Sequence, residues 1–177
     1  MSIGLSSLHQ QKPPFLKAFP AYCLNVILLL MSVHTLHFVA VENVHVVFFL
    51  APLFYWTVHN PFVLPLWFIF LAGLCIDFLG DGLLGLHAFS FLVYYIVLYR
   101  ARRIILSQPP MYQFFVFALT AFVFEFLRWL TLTVLMWQFW DFFPSLIAVV
   151  INIVVFPIII LVLKFTHRIM SGYGRRF

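Results

Sequence analysis

Apolar runs close to the length of a membrane crossing recur along this chain, at about residues 20–41, 46–58, 62–78, 83–99, 112–137 and 142–165, with short polar linkers between them. About 20 apolar residues in a helix cross ~30 Å of hydrocarbon, and a helix satisfies its own backbone there. Runs spaced this closely leave no stretch from which a separate soluble domain could be built. Hydrophobic residues make up 65% of the 177 and charged residues 8%, more apolar surface than a water-soluble fold of this size can cover. The expected fold is an all-α membrane protein, a bundle of about six transmembrane helices. It is expected to form a single domain over residues 1–177, with a cytoplasmic tail at 1–19, the bundle at about 20–166 and a basic cytoplasmic tail at 167–177.

The second run contains Pro52 and is short enough to read as either a span or a re-entrant segment. Charge parity decides for a span. With six crossings, Lys12, Lys17, Arg100, Arg102, Arg103, Lys164, Arg168, Arg175 and Arg176 all share one side, which the positive-inside rule makes cytoplasmic. Both termini and a basic loop carrying Arg100, Arg102 and Arg103 are therefore placed in the cytoplasm. Glu42, Asp77, Asp81 and Asp141 fall on or near the outer side. The same grouping beside apolar runs argues against nucleic acid as the partner of a chain with net charge +5, and leaves anionic lipid headgroups as a secondary contact.

The apolar stretch after Lys12 and Lys17 exceeds the ~7–15 residues of a signal-peptide core and lacks a small-residue cleavage site, so it is expected to be a retained first span. Cys23 and Cys75 lie inside apolar runs near opposite faces and are expected to be packing residues, not a disulfide. Trp137 and Trp140 are expected at the outer boundary, with Tyr22, Tyr55, Trp56, Tyr99 and Tyr112 near the inner one.

The stretch from Gly73 to Ala88 is the most informative. Gly80 and Gly82 allow a sharp reversal, and Gly82, Gly85 and Ala88 give the fourth helix a small-residue stripe that another backbone can approach. A tight turn feeding a helix contact and a binding role are both open readings. Gly80, Gly82 and Gly85 formally match the dinucleotide glycine pattern, but no strand precedes them and no acidic residue follows at the required distance. Gly73, Asp77 and Asp81 resemble the later half of the CDP-alcohol phosphotransferase motif, in which carboxylates hold divalent metals. That motif's upstream Asp-Gly-x-x-Ala-Arg element is missing, and the topology puts both aspartates on the outer side.

Glu125 and Arg128, three residues apart, share one face of the fifth helix. Each costs about 2.5–3.5 kcal/mol near the bilayer centre, so the pair must face protein or water. Asn152 reaches a similar depth, and Asp77, Asp81 and His87 lie at the outer ends of their helices. These groups are expected to converge in the outer half of the bundle, either as a structural bridge or as a pocket or docking surface. His34, His37, Glu42 and His45 lack a diagnostic metal spacing. No phosphate-binding loop, zinc-protease motif or nucleophile elbow is present, so no catalytic residue, metal or cofactor is expected.

Asp77, followed eight residues later by Gly85-Leu86-His87-Ala88 and then by the basic Arg100, Arg102 and Arg103, resembles the rod shape-determining protein MreD family. The resemblance implies a fold like the substrate-binding subunits of ECF vitamin transporters. It also implies a non-enzymatic scaffold of the bacterial cell-wall elongation complex, in the inner membrane. Its expected partners are MreC, MreB, RodA and a class B penicillin-binding protein. The alternative is a substrate-binding subunit of a vitamin-type transporter, although the first run lacks the Ala-x-x-x-Ala stripe by which such subunits dock their energising partner.

Overall fold

The computed structural model describes residues 15–34, 46–79, 84–137 and 141–172. Among these the chain is all-helical: α1 (Phe15–His34), α2 (Leu50–His59), α3 (Leu66–Leu79), α4 (Leu86–Leu106), α5 (Pro110–Met136) and α6 (Phe143–Gly172). Two of them, α5 over Pro110–Leu135 and α6 over Phe143–Arg168, are long and apolar enough to cross a membrane. By helical rise α2, with 10 residues, is only ~15 Å long and α3, with 14, ~21 Å. Neither matches the ~30 Å of hydrocarbon alone.

Sequential helices run in alternating directions. The Phe49 amide donates to Ser32 Oγ at 3.0 Å, bringing the end of α1 to the entry of α2. Tyr22 packs on Phe68 at 5.7 Å, so α1 and α3 start at the same end. Phe91 stacks on Phe124 and Tyr94 meets Thr120, which sets α4 antiparallel to α5. Phe117 stacks face to face on Phe156 at 3.7 Å between α5 and α6. Val46 packs against Ala148 while Tyr55 reaches His167, so α2 runs in the direction of α6.

The core is organised around α2. Its residues from Leu50 through Val58 are all buried, as a helix apolar on every side requires. Ring contacts connect it to the other helices: Phe49 to Phe68 and Phe91, and Phe54 to Phe117 and Phe156. Edge-on and tilted ring pairs of this kind interlock the helices through an aromatic interior. The outward faces of α5 and α6 are apolar as well, with Phe115, Leu119, Val123, Val154, Ile158 and Leu161 exposed.

Several expectations are corrected. The second run is helical only from Leu50, and Tyr55 and Trp56 are buried in the core. Arg100, Arg102 and Arg103 do not lie in a loop: they occupy the closing turns of α4, which continues to Leu106. Arginine favours helix, its charge complements the negative end of the helix dipole, and no breaker appears before Ser107-Gln108-Pro109. Arg102 also lies 5.8 Å from the centre of the Tyr99 ring. Likewise, α6 continues beyond residue 166 to Gly172, and α1 begins at Phe15, directly after Pro13-Pro14. Cys23 and Cys75 are free thiols, as the sequence suggests, but both are exposed on helix surfaces.

Candidate functional site

The α3–α4 corner is built from one face of α3. Gly73 and Asp77 are four residues apart and point the same way. The first amides of a helix have no intrahelical acceptors, and Gly85, the N-cap of α4, has no side chain to supply one. Asp77 supplies both acceptors from the preceding helix. Its Oδ2 accepts from the Gly85 amide at 2.9 Å and the Ala88 amide at 3.3 Å. Its Oδ1 accepts from the His87 amide at 3.1 Å and from His87 Nδ1 at 2.7 Å. A carboxylate at a helix amino terminus also meets the positive end of the dipole.

That arrangement fixes the histidine's tautomer. A carboxylate receiving three backbone N–H groups is ionised and only accepts, so His87 Nδ1 carries the proton. In the neutral ring Nε2 is then an acceptor, and it is buried with no hydrogen-bond partner among the described residues.

The glycines of this stretch have different reasons. Gly85 sits at φ +92°, a left-handed conformation, with open space where a Cβ would go. Gly73 gives α4 room: a Cβ there would clash with the Ala88 backbone. The expected small-residue stripe on α4 is therefore corrected. Gly85 precedes that helix as its cap, and the close approach is made by Gly73 of α3 to Ala88. Gly80, Gly82 and Asp81 lie outside the described residues.

On α5, Glu125 and Arg128 are both buried and form the expected pair. Arg128 Nε and Nη2 donate to the same oxygen, Oε2, at 2.9 and 2.8 Å. Glu125 Oε1 is buried without a partner among the described residues. From the Phe91–Phe124 stack, one turn up α4 leads to His87 and one turn along α5 leads to Arg128, so the antiparallel register sets these two at one level. Asn152 is buried on α6, one turn before Phe156, and donates to the Ala148 carbonyl at 3.1 Å. The structure thus brings Asp77 to His87 and Glu125 to Arg128 as two pairs. No hydrogen bond among the described residues joins the pairs to each other or to Asn152.

No group of three or more His, Cys, Asp or Glu among the described residues is placed to hold a metal. His37, Glu42 and His45 lie outside those residues, as does the side chain of His34. Sequence reasoning missed a third polar cluster, Tyr55, His59 and His167, although the four-residue spacing of Tyr55 and His59 on a helix signals half of it. Compared with family models, curated proteins and solved structures, the chain finds no match in any of the three.

Proposed function

We propose that the protein is a non-enzymatic, multi-pass scaffold of the bacterial cell-wall elongation complex, with all its helices in the inner membrane and both ends in the cytoplasm. The observation that carries this reading is the α3–α4 corner. Gly73, Asp77, Gly85, His87 and Ala88, in the stretch that resembles the MreD family, act as one mechanical unit, with its carboxylate fully used in hydrogen bonds. Such a corner holds two helices rigidly and presents their outer faces to other membrane helices. Those faces carry exposed apolar residues, Phe70 and Phe78 on α3 and Phe89 and Ile96 on α4, suited to lipid or to a partner span. The alternating helix directions support six passes, with the short α2 sheltered by longer neighbours.

The test is a membrane pull-down of the tagged protein in mild detergent, with mass spectrometry of what is retained. Recovery of MreC, MreB, RodA and a class B penicillin-binding protein is the expected result. Their absence, with normal cell shape after deletion, overturns the reading.

One observation favours a second reading, a ligand-binding subunit of a vitamin-type transporter. His87 Nε2 and Glu125 Oε1 are buried with no hydrogen-bond partner among the described residues, an uncommon state that a bound molecule would relieve. Thermal stabilisation by a vitamin, with co-purifying ATPase subunits, is its signature.

A further inference from the structure

Where α2 and α6 finish together, three titratable side chains meet outside both pairs described above. The Tyr55 hydroxyl lies 3.1 Å from His167 Nδ1. The His59 ring stacks on the Tyr55 ring at 4.4 Å and 19°. His59 Nδ1 donates to the Tyr55 carbonyl at 3.1 Å, and the Trp56 ring stands 5.7 Å from His167. Tyr55 is buried, whereas His59 and His167 are half-buried. We propose that Tyr55, His59 and His167 form a proton-sensitive clasp that holds the end of α6 against α2 when the histidines are neutral and releases it when they are charged.

The charges around the cluster give the clasp its direction. Lys164 of α6 and His167 itself are the groups that act electrostatically on His59. At the same end α6 adds Arg168, α4 brings Tyr99, Arg100, Arg102 and Arg103, and α5 brings Tyr112. The opening turn of α3 holds no titratable group, and that of α1 holds Lys17. All the charged groups among these are cations. The described acids lie elsewhere: Asp77 where α3 ends, Glu125 in the far half of α5 and Asp141 just before α6.

With neutral histidines, the Tyr55 hydroxyl bonds His167 Nδ1, donating when the ring proton sits on Nε2, and the Tyr55 ring presents its face to His59. Protonating His167 puts an N–H where that hydroxyl proton lies, so the hydroxyl turns to accept and this bond survives with its direction reversed; the release comes from the added charge. Protonating His59 as well sets two new positive charges beside Lys164 with no carboxylate among the described residues to offset them. The faces of Tyr55 and Trp56 attract a cation weakly, but they do nothing against repulsion among three. Histidine is the side chain whose ordinary charge change falls between pH 5 and 8, which is why two of them can act as the switch.

The test uses the full chain in lipid nanodiscs. Nitroxide labels are placed on Phe62→Cys, in the link after α2, and Phe165→Cys, on the exposed side of α6, with Cys23 and Cys75 replaced by Ser. Pulsed electron spin resonance at pH 8 is expected to give a narrow distance distribution, and at pH 5 a broader and longer one. The His59→Gln/His167→Gln double variant is expected to show no change with pH. Tyr55→Phe, which keeps the ring stack, is expected to broaden the distribution already at pH 8. Identical distributions at both pH values overturn the proposal, as does a pH response that survives in the double variant. If the double variant does not reconstitute, His167→Gln alone decides: an undiminished response overturns the clasp.

Discussion

A Cβ on Gly73 would stand inside the backbone of Ala88, 2.5 Å from its nitrogen and closer still to its Cα. Helices α3 and α4 therefore touch backbone to backbone at this point, and everything in the corner is referenced to that contact. In an exposed helix Gly→Ala gains up to about 1 kcal/mol from propensity. Here the obstacle is main chain, which cannot rotate away, so the sign reverses. Gly73→Ala is expected to cost about 1–3 kcal/mol, the usual cost of overpacking, read as a lower melting temperature in detergent.

Gly85→Ala tests the other glycine. Nothing lies within 4 Å of its missing Cβ, so the loss comes only from the left-handed backbone at φ +92°. The expected cost is about 1–2 kcal/mol. Gly85→Asn is expected to recover part of it, because asparagine tolerates that conformation better than alanine does. Equal melting temperatures for the Ala and Asn variants contradict this account.

Asp77→Ala removes the acceptor of four hydrogen bonds and leaves the first amides of α4 uncapped. A loss of about 2–4 kcal/mol is expected, since charged-group hydrogen bonds and a helix cap disappear together. Asp77→Asn keeps the shape and two lone pairs on one oxygen, and should fall between Ala and the parent. His87→Phe tests the other side of the pair and is expected to cost less than Asp77→Ala, because Asp77 retains three backbone donors. A His87→Phe variant less stable than Asp77→Ala would show that the ring, not the cap, holds the corner.

Arg128→Leu leaves Glu125 buried and uncompensated, and Glu125→Leu does the same to Arg128. Each single change is expected to destabilise by about 3–5 kcal/mol, with lower expression. The Glu125→Leu/Arg128→Leu double variant is expected to be more stable than either single one, since it removes both charges from the interior at once. A double-mutant cycle of melting temperatures measures this coupling. Additive losses would mean that the two residues act on separate partners. Cell shape and recovery of complex partners from the double variant then separate a structural bridge from a docking role, because only docking loses assembly while stability is retained.

Phe117→Ala is expected to cost about 3–5 kcal/mol, because its ring is fully buried, stacks at 3.7 Å on Phe156 and meets Phe54 edge-on. Phe117→Leu keeps apolar volume but loses the stack, and should cost less. Phe115→Leu, on the exposed side of the same helix, is the control, with a change within about 0.5 kcal/mol.

The apolar runs were enough to read an all-helical chain, and the identities of α5 and α6 as its longest apolar elements follow from run length. The Glu125–Arg128 pair was legible too, because three-residue spacing on a helix and the cost of a lone charge leave little freedom. Helix ends were read less well. The expected loop at Arg100, Arg102 and Arg103 is helix because a cluster of charges does not end backbone hydrogen bonding. The eight-residue interval from Asp77 to Gly85 was visible as a pattern, but its meaning was not: a carboxylate one helix away reads in sequence as a ligand or catalyst as readily as a cap.

By itself, then, the sequence determined composition and period, which dictate that the chain buries itself in helices and where its polar groups fall along each. Only the tertiary structure decided that α2 is the buried centre, that Gly73 admits Ala88, that Asp77 caps α4, and that Tyr55 reaches His167 across 112 residues of chain. The physical reason is one of range. Helix formation depends on neighbours within a turn or two, which sequence displays directly. Capping from another helix, backbone contact and ring stacking depend on which surfaces meet, and in a chain apolar on nearly every face many meetings satisfy the pattern while close packing selects one.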